Sequence, residues 1–202
     1  MSKMMEDVMR IDKPGHMEKQ AMERLGEIKL APYIEIATLL VSKGRRAGGN
    51  MFRHQLDTLA ILIEYGYIDA ILLKASVIHD VLEDIKDFDQ NIIKKCDSDG
   101  EEVLKLVLEV SRQQDEAKAD FLKRIIEHGS FRAKLLNCAD RISNMISLGF
   151  VTDASFIDRT ANDTEAFILP MALLVDYSMY SELISLLETR QRYLETIGFY
   201  TN

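Results

Sequence analysis

Apolar residues recur at intervals of three and four along most of the chain, a spacing that is typical of amphipathic α-helices. Alternating apolar and polar runs bounded by hairpin turns, which would indicate strands, are not found in the sequence. The pattern predicts helices over residues 32–43, 54–65, 69–82, 90–95, 101–109, 115–127, 130–148, 158–174 and 177–196. The sequence therefore predicts an all-α fold.

Glycine and proline indicate where the predicted helices end or bend. Gly66 ends the second helix, and the glycine-rich segment 43–50, KGRRAGGN, is predicted to be a loop. Pro170 falls inside the predicted helix 158–174, where its missing N–H and its ring should kink or break the helix. The predicted helix 69–82 is apolar almost all round, so it is expected at the centre of the fold.

Length and composition favour one globular domain. The 202 residues suffice for one well-buried core, and 47% hydrophobic with 29% charged residues is an ordinary balance for a globular protein. Residues 1–25 are polar and rich in methionine, with only a weak helical pattern. We expect them to form a weakly structured or docking N-terminal segment, followed by one domain over residues 26–202.

The charge and cysteine content narrow the possible partners. A net charge of −8 argues against general binding to nucleic acid or to an anionic membrane, although a bound cation and local arginines can still attract a small anion. Cys96 and Cys138 are too few for a disulfide framework, and the N-terminus lacks the apolar core of a signal peptide. These features predict a cytoplasmic protein with a small-molecule partner, and leave the oligomeric state open.

The strongest chemical signal is the pair His79-Asp80 at the end of the most apolar predicted helix. A carboxylate in so apolar a setting requires a partner or a metal ion, since an isolated buried charge is very costly. His54 and Asp140 lie in other predicted helices and can converge on the same point. Each residue alone would more often be an ordinary polar side chain, but together they favour a site for divalent Mn, Fe, Co or Zn.

Four sequence matches make the chain resemble the HD superfamily and, more closely, the hydrolase domain of the RelA/SpoT family. They are the segment Arg45-Arg46-Ala47-Gly48 before His54, the run His79-Asp80-Val81-Leu82-Glu83-Asp84, the residues Ala139-Asp140-Arg141 with Asn144-Met145, and Ala161-Asn162-Asp163-Thr164 followed by Pro170-Met171-Ala172. The resemblance covers roughly residues 33–190 and leaves no length for the synthetase domain of long members. It implies a stand-alone hydrolase of the alarmone ppGpp.

The resemblance also implies a single HD-domain helical bundle with the metal site between its central helices. Its four metal ligands would be His54, His79, Asp80 and Asp140, and the ion would be manganese, which the family usually binds. The acidic pair that takes part in hydrolysis of the 3′-pyrophosphate corresponds to Glu83 and Asp84. These two residues follow His79 and Asp80 by four positions, so on a continuous helix each would project from the same side as its metal ligand.

Five further residues are candidates for binding the nucleotide. Arg45 and Arg46 match positions where the family packs cationic side chains against guanine, and a guanidinium group can stack on a base or bind phosphate. Asn144 matches a nucleotide-contacting position, and Ser147 keeps the hydroxyl of the threonine that the family has there. Phe150 can offer a stacking wall, although a lone aromatic after a helix more often belongs to the core.

Several residues depart from the RelA/SpoT motifs. Gln55 stands where a proline usually follows the first histidine, and Ser143 stands where the family has the histidine of its DRxHN motif. Ile85 replaces a threonine and Asn137 replaces a lysine. None of these changes removes a predicted metal ligand, but several border the expected nucleotide pocket, so the hydrolytic chemistry is predicted more firmly than the substrate.

Alternative functions remain open at this point. The same site can act on an adenine alarmone or on the 2′-phosphate of NADPH, and relative kcat/KM values would separate these substrates from ppGpp. A non-catalytic alarmone sensor is a second class, which a protein without metal and without activity after addition of manganese would favour. A helical interaction protein whose HD-like residues only stabilise the core is a third.

Overall fold

A computed structural model describes residues 19–200, which form helices and connecting turns. The helices are α1 Lys19–Glu27, α2 Ala31–Ala37, α3 Met51–Glu64, α4 Ala70–Ile78, α5 Val81–Asp84, α6 Asn91–Lys94, α7 Gly100–Val110, α8 Lys118–His128, α9 Phe131–Ser147, α10 Ala154–Asp163, α11 Leu169–Val175 and α12 Tyr177–Thr196. Within this range there is no strand, and the only β-type pairing is an isolated bridge between Gly44 and Asn50. The predicted all-α fold is confirmed.

The loop before α3 has the conformation that its glycines predict. Gly48 and Gly49 have φ angles of 84° and 73°, in the left-handed region that side chains with a Cβ rarely adopt. The loop closes where the Arg45 N–H donates to the Gly49 carbonyl at 3.1 Å. Asn50 then caps α3 by accepting the Arg53 N–H at 2.9 Å, which explains why α3 begins before the predicted start at residue 54.

The prediction of one continuous helix over residues 69–82 is wrong. Asp69 caps α4 as expected by accepting the Leu72 N–H at 2.8 Å, but the helix ends at Ile78 and α5 begins only at Val81. Side chains compete with the helical hydrogen bonds here, since His79 Nδ1 lies 2.8 Å from the Ser76 carbonyl oxygen. The break places both residues of the His-Asp pair in a turn between α4 and α5.

The predicted helix 158–174 is interrupted just before Pro170 rather than at it. A wider π-helical turn, Thr164–Ile168, separates α10 from α11, and Pro170 lies in the first turn of α11, where its missing N–H leaves no helical bond unmade. The helix α10 also begins earlier than predicted, because Asp153 caps it by accepting the Phe156 N–H at 3.0 Å.

The core is centred on α4, as its apolar sequence predicts. Every residue of α4 from Leu72 to Ile78 is buried. The helix packs against α2, α3 and α7, while α9 packs against α3, α11 and α12 on the other side. Because α3, α4 and α9 contact one another, the residues at their ends are held in one place by the hydrophobic core.

Most of the N-terminal segment predicted over residues 1–25 lies outside the described residues. From Lys19 the chain forms α1, which continues past residue 25 and buries Ala21. Between Lys19 and Tyr200, no helix combines the length and the apolar composition needed to cross a membrane.

Candidate active site

The four predicted metal ligands converge at the junction of α3, α4 and α9. His54 comes from the first turn of α3, His79 and Asp80 from the turn after α4, and Asp140 from the middle of α9. The Nε2 atom of His54 lies 2.8 Å from Oδ1 of Asp140 and 3.7 Å from Oδ2 of Asp80. The Nε2 atom of His79 lies 3.3 Å from Oδ2 of Asp80 and 3.6 Å from Oδ1 of Asp140.

This arrangement fits a divalent metal ion. Donor atoms of His54, His79 and Asp140 all lie within 4.8 Å of one another, and Asp80 stands beside this group. His79 Nε2 is buried and has no hydrogen-bond partner among residues 19–200, although a buried polar nitrogen normally has one. Both imidazoles direct Nδ1 toward protein groups and Nε2 toward the carboxylates, which is the usual orientation of metal-binding histidines.

The electrostatics of the cluster favour a positive charge between the carboxylates. Burial lowers the pKa of His79, but the neighbouring Asp80 and Asp140 outweigh it and raise this pKa to about 9. Burial opposes ionisation of Asp140, yet the adjacent imidazoles of His54 and His79 hold its pKa well below the ordinary value. A divalent cation would supply the same positive charge and leave both imidazoles neutral.

The acidic pair lies on α5, so the continuous helix on which its prediction depended is not present. A helical hydrogen bond nevertheless links one of the pairs four residues apart, since the Asp84 N–H donates to the Asp80 carbonyl at 2.9 Å. Glu83 lines the same cavity as Asp80, whereas Asp84 is not among the residues that line it. Partial burial and the nearby Asp80 raise the pKa of both acids above the ordinary range.

Glu83 is held by the loop after α7. Its Oε1 atom accepts the backbone N–H of Arg112 at 2.7 Å. This hydrogen bond lowers the pKa of Glu83, but partial burial raises it more. A carboxylate at the wall of a cavity can accept or donate a proton when a reacting group lies within hydrogen-bond reach.

A cavity of about 380 Å³ opens beside the metal ligands. It is lined by carboxylates at one end, Asp80, Glu83 and Asp140, and by cationic and polar side chains that include Arg112, Lys118, Arg141, Asn137 and Asn144. Arg112 and Lys118 were not predicted as site residues, because they belong to no recognised motif and come near the site only through the packing of the loop after α7. Their charges offset those of the acidic cluster.

Three of the five predicted nucleotide-binding residues meet at a second cavity of about 400 Å³, which shares Ala47 with the first. The Arg45 guanidinium donates from Nη2 to Asn144 Oδ1 at 2.7 Å and from Nη1 to Ser147 Oγ at 3.3 Å. Phe150 lines the same cavity and leaves 84% of its surface exposed. An aromatic ring so exposed does not belong to the core.

Of the other two predicted nucleotide-binding residues, Asn144 lines the first cavity and Arg46 lines neither. Its guanidinium forms an ion pair with Asp153 and lies over the ring of Phe156, 4.5 Å from the centroid. Phe156 lines the first cavity, so Arg46 connects the loop 43–50 to the start of α10. The two adjacent arginines therefore contact different elements, which the sequence alone does not indicate.

Comparison with solved structures identifies a similar fold in a metazoan orthologue of SpoT that hydrolyses ppGpp and plays a role in starvation responses. The TM-score is 0.67 with 22% sequence identity, and the alignment covers 87% of this chain and 97% of the other. No protein-family model matches the chain, and a search of curated proteins finds no match either. The likeness is one of fold, and it agrees with the all-helical fold that the RelA/SpoT resemblance of the motifs implied.

Proposed function

We propose that this protein is a metal-dependent hydrolase that removes the 3′-pyrophosphate of the guanosine alarmones ppGpp and pppGpp, giving GDP or GTP and pyrophosphate. The observation that carries the proposal is the convergence of two imidazole Nε2 atoms and two carboxylates, with His79 Nε2 buried and without a hydrogen-bond partner among residues 19–200. The ppGpp hydrolysis attributed to the metazoan protein of similar fold supports this choice of substrate.

His54, His79, Asp80 and Asp140 would hold the ion, which we propose to be Mn²⁺. When bound, a divalent ion supplies Lewis-acid polarisation of phosphate and lowers the pKa of bound water. Glu83 would orient the attacking water or take its proton, since this acid faces the same cavity and has a raised pKa. We assign Asp84 to the same step through the family motif.

The nucleotide would lie across the two cavities that meet at Ala47. Arg45, held by Asn144 and Ser147, would contact the base, with Phe150 as an apolar wall. Arg46 can contact the nucleotide only if its guanidinium leaves Asp153 and Phe156. The cationic side chains of the first cavity, Arg112, Lys118 and Arg141, would bind phosphate oxygens.

Pyrophosphate release from ppGpp by metal-stripped protein supplemented with Mn²⁺ tests this proposal. We expect turnover that depends on the added metal, and a fall to background in Asp80→Ala, which removes a ligand oxygen. Circular dichroism of the variant checks that the fold is retained.

Other outcomes of the same assay would replace the proposal. A higher kcat/KM on an adenine alarmone, or release of orthophosphate from NADPH, would keep the metal chemistry and change the substrate. Tight binding of ppGpp with no turnover at any metal concentration would instead indicate a sensor.

A further inference from the structure

Two side chains in direct contact with the proposed metal ligands are departures from the RelA/SpoT motifs. Gln55 occupies the position of the family's proline, and Ser143 occupies the position of the family's histidine. Both are buried, with exposed fractions of 0% and 3%. Burying a side-chain amide is unfavourable unless its hydrogen bonds are made, so the partners of these groups indicate what they do.

Gln55 contacts Asp80 through both ends of its amide. Its Nε2 donates to Asp80 Oδ2 at 2.8 Å, and its Oε1 lies 3.4 Å from the Asp80 backbone nitrogen, which is a long hydrogen bond. The same Oδ2 atom approaches Nε2 of both His54 and His79. The amide therefore restrains two parts of Asp80. One is its backbone nitrogen, at the break between α4 and α5, and the other is the carboxylate oxygen that faces the histidines.

Ser143 restrains His54 in the same way, through a side-chain hydrogen bond. Its Oγ lies 2.9 Å from His54 Nδ1, and both groups are buried between α3 and α9. An imidazole that binds a metal through Nε2 carries its proton on Nδ1, and that N–H needs an acceptor. The serine hydroxyl can accept it and thereby select the tautomer and the ring orientation.

We propose that Gln55 and Ser143 are positioning residues of the metal centre, which replace the family's proline and histidine by hydrogen bonds to Asp80 and His54. The inference rests on the proposed metal site. A proline cannot donate to Asp80 Oδ2, so in this chain the carboxylate is oriented by a contact that the family motif does not provide. The two residues act on separate ligands, so each can be tested independently.

The dissociation constant of Mn²⁺, measured by titration calorimetry on metal-stripped protein, tests the assignment. Loss of such outer hydrogen bonds typically weakens metal binding by roughly 10- to 100-fold, and we expect this for both Gln55→Met and Ser143→Ala. Ser143→Thr keeps the hydroxyl and should restore binding close to that of the wild type. Because Ser143→Ala removes one oxygen atom, it keeps the proposal testable if Gln55→Met fails to fold.

Ser111→Ala is the matched control, since Ser111 is a buried serine after α7 whose hydroxyl donates to the Val107 carbonyl at 2.7 Å. It should leave Mn²⁺ affinity unchanged. Unchanged affinity in Gln55→Met and Ser143→Ala, with thermal stability of the metal-free protein reduced, would assign them a purely structural role and overturn the inference alone. A wild-type protein that binds neither Mn²⁺ nor another divalent ion would overturn both this inference and the proposed function.

Discussion

At the scale of single residues, Arg45 connects the second cavity to the cluster of proposed metal ligands. Its guanidinium donates to Asn144 Oδ1, and Asn144 Nδ2 in turn donates to Asp140 Oδ1 at 2.8 Å. Burial lowers the pKa of Arg45, whereas Asp140, Asp80 and Asp57 raise it. A half-buried cation at the wall of the second cavity, near three carboxylates, is a suitable contact for an anionic or aromatic ligand.

Replacement of Arg45 is expected to affect substrate binding more than chemistry. Because a hydrogen bond to a charged group contributes about 1.5–3 kcal/mol, Arg45→Ala should raise the KM for ppGpp roughly 10-fold or more, with a smaller change in kcat. Steady-state kinetics with ppGpp and Mn²⁺ measure both constants. Arg192→Ala, an exposed arginine of α12, should leave them unchanged. An unaltered KM in Arg45→Ala would exclude this residue from the nucleotide site.

The sequence predicted the site best where the motif and the chemistry coincide. The four proposed metal ligands meet because two imidazoles and two carboxylates set among apolar helices have few alternatives to shared partners. Gln55 and Ser143 were visible only as departures from a motif, with no indication of which ligand each contacts. Lys118 and Arg112 could not be predicted, since their position depends on how the loop after α7 folds back.

At the scale of elements, the buried Lys74 joins three parts of the fold. This lysine lies within the apolar helix α4, and its ammonium donates to Asp97 at 2.6 Å and to Asp99 at 2.5 Å. The Tyr33 hydroxyl of α2 also donates to Asp97, at 2.8 Å. The cluster therefore fixes the turn before α7 against α2 and α4.

This cluster makes stability depend on pH. Burial raises the pKa of Asp97, but hydrogen bonds from Lys74 and Tyr33 outweigh it and hold this pKa below the ordinary 3.8. An acid whose pKa is lower in the folded state stabilises that state above pH 3.8. This contribution to stability is lost as the pH falls below that value. We expect Asp97→Asn to lower the free energy of unfolding by about 1–3 kcal/mol at pH 7.

Urea denaturation of wild type and Asp97→Asn at several pH values measures that difference. It should shrink as the pH falls below 3.8, because protonation of Asp97 then removes the charge in the wild type as well. A difference that stays constant down to pH 3 would show that the carboxylate charge contributes nothing. Glu188→Gln on α12 serves as the control for a surface carboxylate.

Helix bounds were predicted well where local signals act alone and poorly where distant side chains intervene. The range of α12 agrees with the prediction because Asp176 caps its start. The break after α4 was missed because Gln55, from another helix, forms hydrogen bonds to Asp80. The interruption expected at Pro170 lies instead in the preceding turn, which is π-helical.

At the scale of the whole molecule, the proposed ion would join the three central helices. Its ligands come from α3, the turn after α4, and α9, which also form the centre of the hydrophobic core. The unfolded chain keeps these residues far apart, so binding should favour the folded state. Mn²⁺ at 100 times its dissociation constant would add about 2.7 kcal/mol to the free energy of unfolding.

Differential scanning calorimetry of metal-stripped protein, with and without Mn²⁺, measures this contribution. For a chain of this size the gain corresponds to a rise in Tm of about 5–10 °C. Asp80→Ala should show little or no rise, and Mg²⁺ in place of Mn²⁺ should give a smaller one because it prefers oxygen ligands. Equal shifts in wild type and Asp80→Ala would place the ion elsewhere.

The separation of the ligands along the chain also has a kinetic consequence. His54, His79 and Asp140 come together only after distant helices have docked, so the earliest local steps of folding offer no complete site. Interactions that form after the transition state change the rate of unfolding and leave the rate of folding nearly unaltered. Metal bound at this junction would therefore slow unfolding of the bundle. The native state would live longer, while the time needed to reach it would stay the same.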